Sequence, residues 1–115
     1  MLLKINNNKF NVKLAISKEE RAEGMMFKKF NENINGMLFI EKDDVHCFWM
    51  KNCLLSLDII FLKKGVITAI HHNCTPCKEE PCKNYCGNGD SVLEIAGGSC
   101  KKLGISVGDK MVIPS

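Results

Sequence analysis

Two carboxylates stand where burial makes them costly. Asp58 lies between Leu57 and Ile59, and Glu94 between Leu93 and Ile95, so each acid is embedded in apolar strand-like sequence. A buried carboxylate needs a charge partner, several N–H donors or a ligand, because an ionised oxygen taken out of water without them is strongly disfavoured. Arg21 sits beside the apolar stripe of Ala22, Met25 and Met26, and Lys51-Asn52 directly follow the single tryptophan, Trp49, and Met50. These six residues allow two arrangements. In the structural one, Arg21 faces Asp58 or Glu94 as a bidentate ion pair that locks a helix to the sheet. In the functional one, Arg21, Trp49, Lys51, Asn52, Asp58 and Glu94 form the polar side of a ligand pocket. Strand alternation predicts that Phe48 and Met50 enter the core, leaving Trp49 beside Lys51 as a flat platform suited to a sugar or a carboxylate-bearing ligand.

The cysteines form the second constellation. There are seven, an odd number that argues against a full disulfide framework, and four of them, Cys74, Cys77, Cys82 and Cys86, follow a C-x2-C-x4-C-x3-C spacing. Four thiolates on one turn-rich connection can wrap a tetrahedral zinc, with His71 or His72 as replacement ligands, so structural zinc is the expected staple. One or two local disulfides, or free thiols, are the alternatives. A redox role for Cys74-Thr75-Pro76-Cys77 is disfavoured, since Glu79 and Glu80 oppose a thiolate and Pro81 limits any helix that would stabilise one. His46 paired with Cys47 or Cys53 as base and nucleophile is equally disfavoured, because strand neighbours such as His46 and Cys47 point to opposite faces. A non-catalytic module binding a small polar ligand or a partner is therefore the leading expectation. The alternative is a small hydrolase- or transferase-type enzyme using Asp58 or Glu94 with Lys51.

The elements that must position these residues are mostly strands. Leu2 to Ile5 and Phe10 to Ile16 read as strands, the second alternating at period two, and Ser17 opens a capping box with Glu20, predicting a helix from Lys18 to about Lys29. Strands are expected over Met37 to Ile40 and Cys47 to Met50, with a turn at Asp43-Asp44 between them. Leu54 to Leu62 and Val66 to His71 read as a hairpin over Lys63-Lys64-Gly65, and the unbroken apolarity of Leu57 to Leu62 implies burial on both faces. Positions 72–90 read as a long connection. Ser91 to Ile95 is a strand, Gly98 to Leu103 a short helix or turn, and Lys110 to Ile113 the last strand. The expected class is α+β and β-rich: one domain over residues 1–115, a small, mostly antiparallel β-barrel or strongly curved sheet with one principal helix and a cysteine-rich loop.

Four ordered motifs give a family resemblance. Glu20-Arg21 with Gly24-Met25-Met26-Phe27, then Gly36-Met37-Leu38-Phe39, then Phe48-Trp49-Met50-Lys51-Asn52 with Leu57-Asp58-Ile59-Ile60-Phe61, and finally Val92-Leu93-Glu94-Ile95 with Gly97, Gly104-Ile105 and Gly108-Asp109 resemble the DUF192 family. Ser56 and Cys53 depart from it, standing where proline and threonine are usual. The resemblance directs attention to Arg21, Trp49, Lys51, Asn52, Asp58 and Glu94 and implies no settled activity. Composition narrows the classes further. A net charge of +3 comes from scattered lysine pairs, without the clustered charge and interleaved aromatics of a nucleic-acid groove. No signal-like or membrane-spanning apolar stretch is visible, so the expected location is cytoplasmic, with no membrane partner. Oligomeric state leaves no mark on the sequence.

Overall fold

In the computed structural model, which describes residues 1–114, alternating sequence becomes strand along most of the chain. The elements are β1 (Leu2–Ile5), β2 (Asn8–Ala15), α1 (Lys18–Glu23), β3 (Gly36–Trp49), β4 (Leu57–Lys63), β5 (Val66–Cys74), β6 (Asn84–Ala96), α2 (Ser99–Leu103) and β7 (Met111–Val112). They form one seven-stranded sheet in the order β5-β4-β6-β3-β2-β1-β7. Among these strands β2 and β3 pair in parallel and the other neighbours antiparallel. The sheet curls into a half-barrel, and three backbone hydrogen bonds (Ile67 N to Asp109 O, Gly108 N to Ile67 O, Met111 N to Gly65 O) bring its two edges together.

The curl follows from β4 and β6, whose apolar residues point both ways. Ile60, Leu62, Leu93 and Ile95 join Leu3, Ile5, Phe10, Val12 and Leu38 on the inner face. Leu57, Ile59, Phe61 and Val92 join Met25, Met37, Phe39 and Met50 on the other, under α1 and the connections that follow β3. Burial on both faces of Leu57 to Leu62 is as expected from the sequence.

Asp58 belongs to the inner face, where it is fully buried. Its carboxylate accepts backbone N–H bonds from Asn73 (2.8 Å), Gly98 (2.9 Å) and Cys100 (2.8 Å), tying β4 to β5 and to the start of α2. Burial alone would raise its pKa, but the three amides outweigh it and hold the group below the ordinary aspartate value. No arginine is needed, so the expected Arg21–Asp58 pair is replaced by an acid satisfied through main chain.

The helical content is two short helices instead of one principal helix. The capping box forms, with Ser17 and Glu20 each bonding the other's backbone N–H. The helix stops at Glu23 because Gly24 adopts φ +50° and closes against the Phe39 ring, after which Phe27 (φ +58°) bonds through its N–H to Asn52 O. The Asp43-Asp44 signal marks a register shift within one long β3, between Ile40 and Asp44.

The cysteine-rich segment differs most from expectation. β5 runs on to Cys74 and β6 begins at Asn84, leaving only positions 75–83 as loop. Gly87 and Gly89 read as loop in the sequence, yet they lie in β6 because side chains there would collide with the Phe61 ring and the Leu62 backbone. Cys74, Cys77, Cys82 and Cys86 do not converge on a metal. Cys86 is bonded to Cys47 directly across β3 and β6, Cys77 to Cys82, and Cys74 is a buried free thiol, as is Cys100, while Cys53 is free and half-buried. His71 instead meets Cys86 O at 2.8 Å, and no metal-ligating cluster occurs among the described residues. Cys74 is buried in the core with Cys77 packed at its edge, whereas β6 aligns Cys86 with Cys47 of β3 and so withdraws it from the other three. The loop is stapled by the Cys77–Cys82 bond, by Cys77 N to Met50 O and Asn52 N to Cys77 O, and by the Lys51–Glu80 pair at 2.6 Å.

Two outcomes follow. Alkylation of denatured, unreduced protein should modify Cys53, Cys74 and Cys100 alone, and modification of all seven cysteines would contradict the bonded pairs. Asp58→Ala should cost about 3–5 kcal/mol in urea unfolding by stranding three N–H groups. Since the folded value lies below the unfolded one, Asp58's contribution is complete above the ordinary value of 3.8 and fades as pH falls through it, so the wild-type advantage should shrink in acid.

Candidate functional site

One residue along β4 from Asp58, Ile59 pairs with Glu94 of the neighbouring β6, which also lies opposite Met37 of β3. By alternation Glu94 points to the sheet face opposite Asp58, the face that α1 covers. The two acids therefore sit back to back on adjacent strands in different surroundings. Glu94 is 3% exposed, and its carboxyl makes no hydrogen bond or ion pair with any described residue. It lines a cavity of about 510 Å³ that opens between α1 and the β3–β6 pair. No fully enclosed side-chain oxygen or nitrogen among the described residues lacks a partner, so the carboxyl's outlet is the cavity itself. Burial pushes its pKa up to about 8, keeping much of it protonated at neutral pH.

The walls are largely apolar: Met25 and Met26 after α1, Phe39 and Phe48 from β3, and Cys53 from the β3–β4 connection. Phe48 meets Phe39 edge-on at 5.0 Å and Phe61 at 5.9 Å, which fixes the ring behind the cavity. Burial, with the nearby Glu94 charge, pushes the Cys53 thiol up to about 11, so it is a poor nucleophile at neutral pH.

Charges gather at the mouth. Arg21, in the last turn of α1, reaches Glu41 at 3.5 Å and donates to Ile40 O at 3.3 Å, and His46 Nδ1 lies 3.4 Å from the same Glu41 oxygen. The expected contact of Arg21 with Asp58 or Glu94 is thus replaced by one with Glu41, because α1 ends a turn early over the register shift of β3. Glu41 carried no sequence signal, standing in what read as a turn. Trp49 borders the cavity at 37% exposure with Lys51 Nζ 5.4 Å from its ring, while Met50 enters the core, as alternation predicted.

Of the six expected residues, Arg21, Trp49 and Glu94 line this cavity together. Lys51 and Asn52 turn away to hold the loop through Glu80 and Cys77, and Asp58 lies on the far face of the sheet.

A test of the Glu94 environment follows from its raised value. The folded protein binds its proton more tightly than the unfolded chain, so stability is greatest below the ordinary 4.5, falls as pH rises toward about 8, and is level above that. Glu94→Gln should be more stable than wild type at pH 9, by on the order of 3 kcal/mol, with the gain vanishing in acid. Equal stability of the two proteins across this range, measured by urea unfolding, would mean the carboxyl has a partner or water.

Comparison with known proteins matches the frame in which this cavity sits. A Novosphingobium aromaticivorans protein of unknown function is 32% identical, with a TM-score of 0.85 over 97% of this chain and 84% of its own. A Sinorhizobium meliloti protein provisionally described as a transcription regulator is 30% identical, with a TM-score of 0.80 over 96% of this chain and 89% of its own. No functionally curated protein matches. The DUF192 family model, described as "Uncharacterized ACR", matches residues 1–113, and the chain belongs to that family.

Proposed function

We propose that the chain is a non-catalytic module that takes a small polar ligand into the cavity beneath α1. The observation that carries this reading is Glu94, a buried carboxyl without a protein partner on the wall of an open, largely apolar cavity. Such a group costs stability wherever it is ionised, and a ligand that meets it recovers that cost on binding. The non-catalytic form is supported by the dispersal of the acid and base candidates. Asp58 is engaged by backbone amides, Lys51 by Glu80, and the Cys53 thiol is held protonated.

A nucleic-acid role, which the description of the Sinorhizobium relative raises, is disfavoured by the cavity's own acids, Glu23, Glu41 and Glu94, since carboxylates repel phosphate. The two disulfides favour an oxidising compartment over the expected cytoplasm, and no helix among the described residues is long and apolar enough to cross a membrane.

The test is an amide NMR titration with a panel of alkylammonium, carboxylate, neutral amide and monosaccharide probes at millimolar concentration. At least one class should shift the amides of Gly24, Met25, Phe39 and Glu94 together. A panel that leaves all four unmoved would contradict the reading.

A further inference from the structure

The cavity is polarised in a way that selects among ligands. At its mouth Glu41 holds both Arg21 and His46, whereas on the wall Glu94 has no partner among the described residues, and Lys18, on the same lining, makes no ion pair with any of them. The formal charges on its lining are Glu23, Glu41 and Glu94 against Lys18 and Arg21, which gives no excess of cations to receive an anion. Between mouth and carboxyl the surface is thioether and aromatic, a setting that accepts an apolar chain and tolerates a cation against ring faces.

We propose that the cavity binds a small organic amine: a single primary ammonium head meeting the Glu94 carboxylate, and an unbranched apolar stem lying along Met25, Phe39 and Phe48. This rests on the ligand-binding reading above and narrows it to one class. An ammonium offers three donors to a carboxylate that has none, and a charge-assisted bond formed away from water is stronger than a neutral one. A carboxylate-headed ligand could meet this carboxyl only in its protonated form and would bring a buried negative charge with it, and a sugar would leave hydroxyls unpaired against the apolar wall.

Occupancy is coupled to a proton. The amine head requires Glu94 ionised, so at neutral pH the protein releases a proton to the solvent as the ligand enters. The titratable and charged groups that share the cavity lining with Glu94 are Lys18, Arg21 and Glu23 from α1, Glu41 and His46 from β3 and Cys53 from the β3–β4 connection, and Cys74 of β5 lies near enough to feel its charge. Of these, His46 stands at the mouth, already on Glu41.

The experiment compares hexylammonium, hexanol and hexanoate, which share a stem and differ only in the head, by calorimetry and amide NMR on the full chain with its disulfides intact. Hexylammonium should bind at least about tenfold more tightly than hexanol, and hexanoate most weakly. Its affinity should rise about tenfold per pH unit up to about 8 and then level off. Glu94→Gln should abolish both the preference for the ammonium and the pH slope while still binding hexanol. Hexanol binding as well as hexylammonium, or better in acid than in base, overturns the amine proposal and leaves the cavity a binding site in which Glu94 acts as a neutral donor. A pH slope that persists in Glu94→Gln assigns it to another group and also overturns the proposal. Silence of all three hexyl probes overturns it as well, and if the wider panel is then silent too, the ligand-binding reading falls with it.

Discussion

The structure depends on satisfying two acids carried by adjacent central strands. β4 and the Ser91 to Ile95 half of β6 are buried on both faces, so there is no wet side of the sheet on which to place Asp58 and Glu94. Asp58 is answered by three backbone amides drawn from β5 and the start of α2. Those bonds do more than relieve a charge, because they set where β5 ends and where the chain after β6 must turn. With α2 pinned there, Cys100 and Ile105 complete the inner core, and the segment leading to β7 meets Gly65 and Ile67 across the gap. The curl of the half-barrel is thus linked to one buried carboxylate.

Glu94 has no equivalent answer. The short α1, stopped by Gly24, covers Met25 and Phe39 without bringing a donor to the carboxyl, and the one arginine it carries is drawn aside to Glu41 and Ile40 O. The outcome is an acid held at a pKa of about 8 on a cavity wall. A fold that tolerates such a group relinquishes stability at neutral and alkaline pH, which is the usual signature of a site arranged for something other than folding. The Cys47–Cys86 bond joins the outer parts of β3 and β6 next to this cavity, fixing the strands that carry Phe48 and Trp49.

Much of this was readable beforehand, and the misses share a cause. Polar residues inside apolar strand sequence marked both Asp58 and Glu94 as special, and alternation placed Met50 inward and Trp49 outward. The difference between the two acids was not readable, since Asp58's donors are main-chain N–H groups 15, 40 and 42 positions away and carry no residue code. The four-cysteine spacing suggests one cluster only where sequence proximity means spatial proximity, whereas continuing strands send Cys74 into the core and Cys86 to a partner 39 positions away. Gly87 and Gly89 suggested a loop for the same local reason, although long-range packing against β4 is what requires them. The mouth of the cavity, with Glu41 at its centre, lies in a register shift that local turn chemistry could not distinguish from a turn.

Glu94 is a buried acid without a partner among the described residues, and its side-chain carboxyl carbon reports on this directly. Its chemical shift, followed by NMR across a pH titration of the ligand-free protein, should move through a midpoint near 8, with Glu94→Gln identifying the signal. A midpoint at or below the ordinary 4.5 would contradict the account, because it would show a carboxylate already satisfied within the fold.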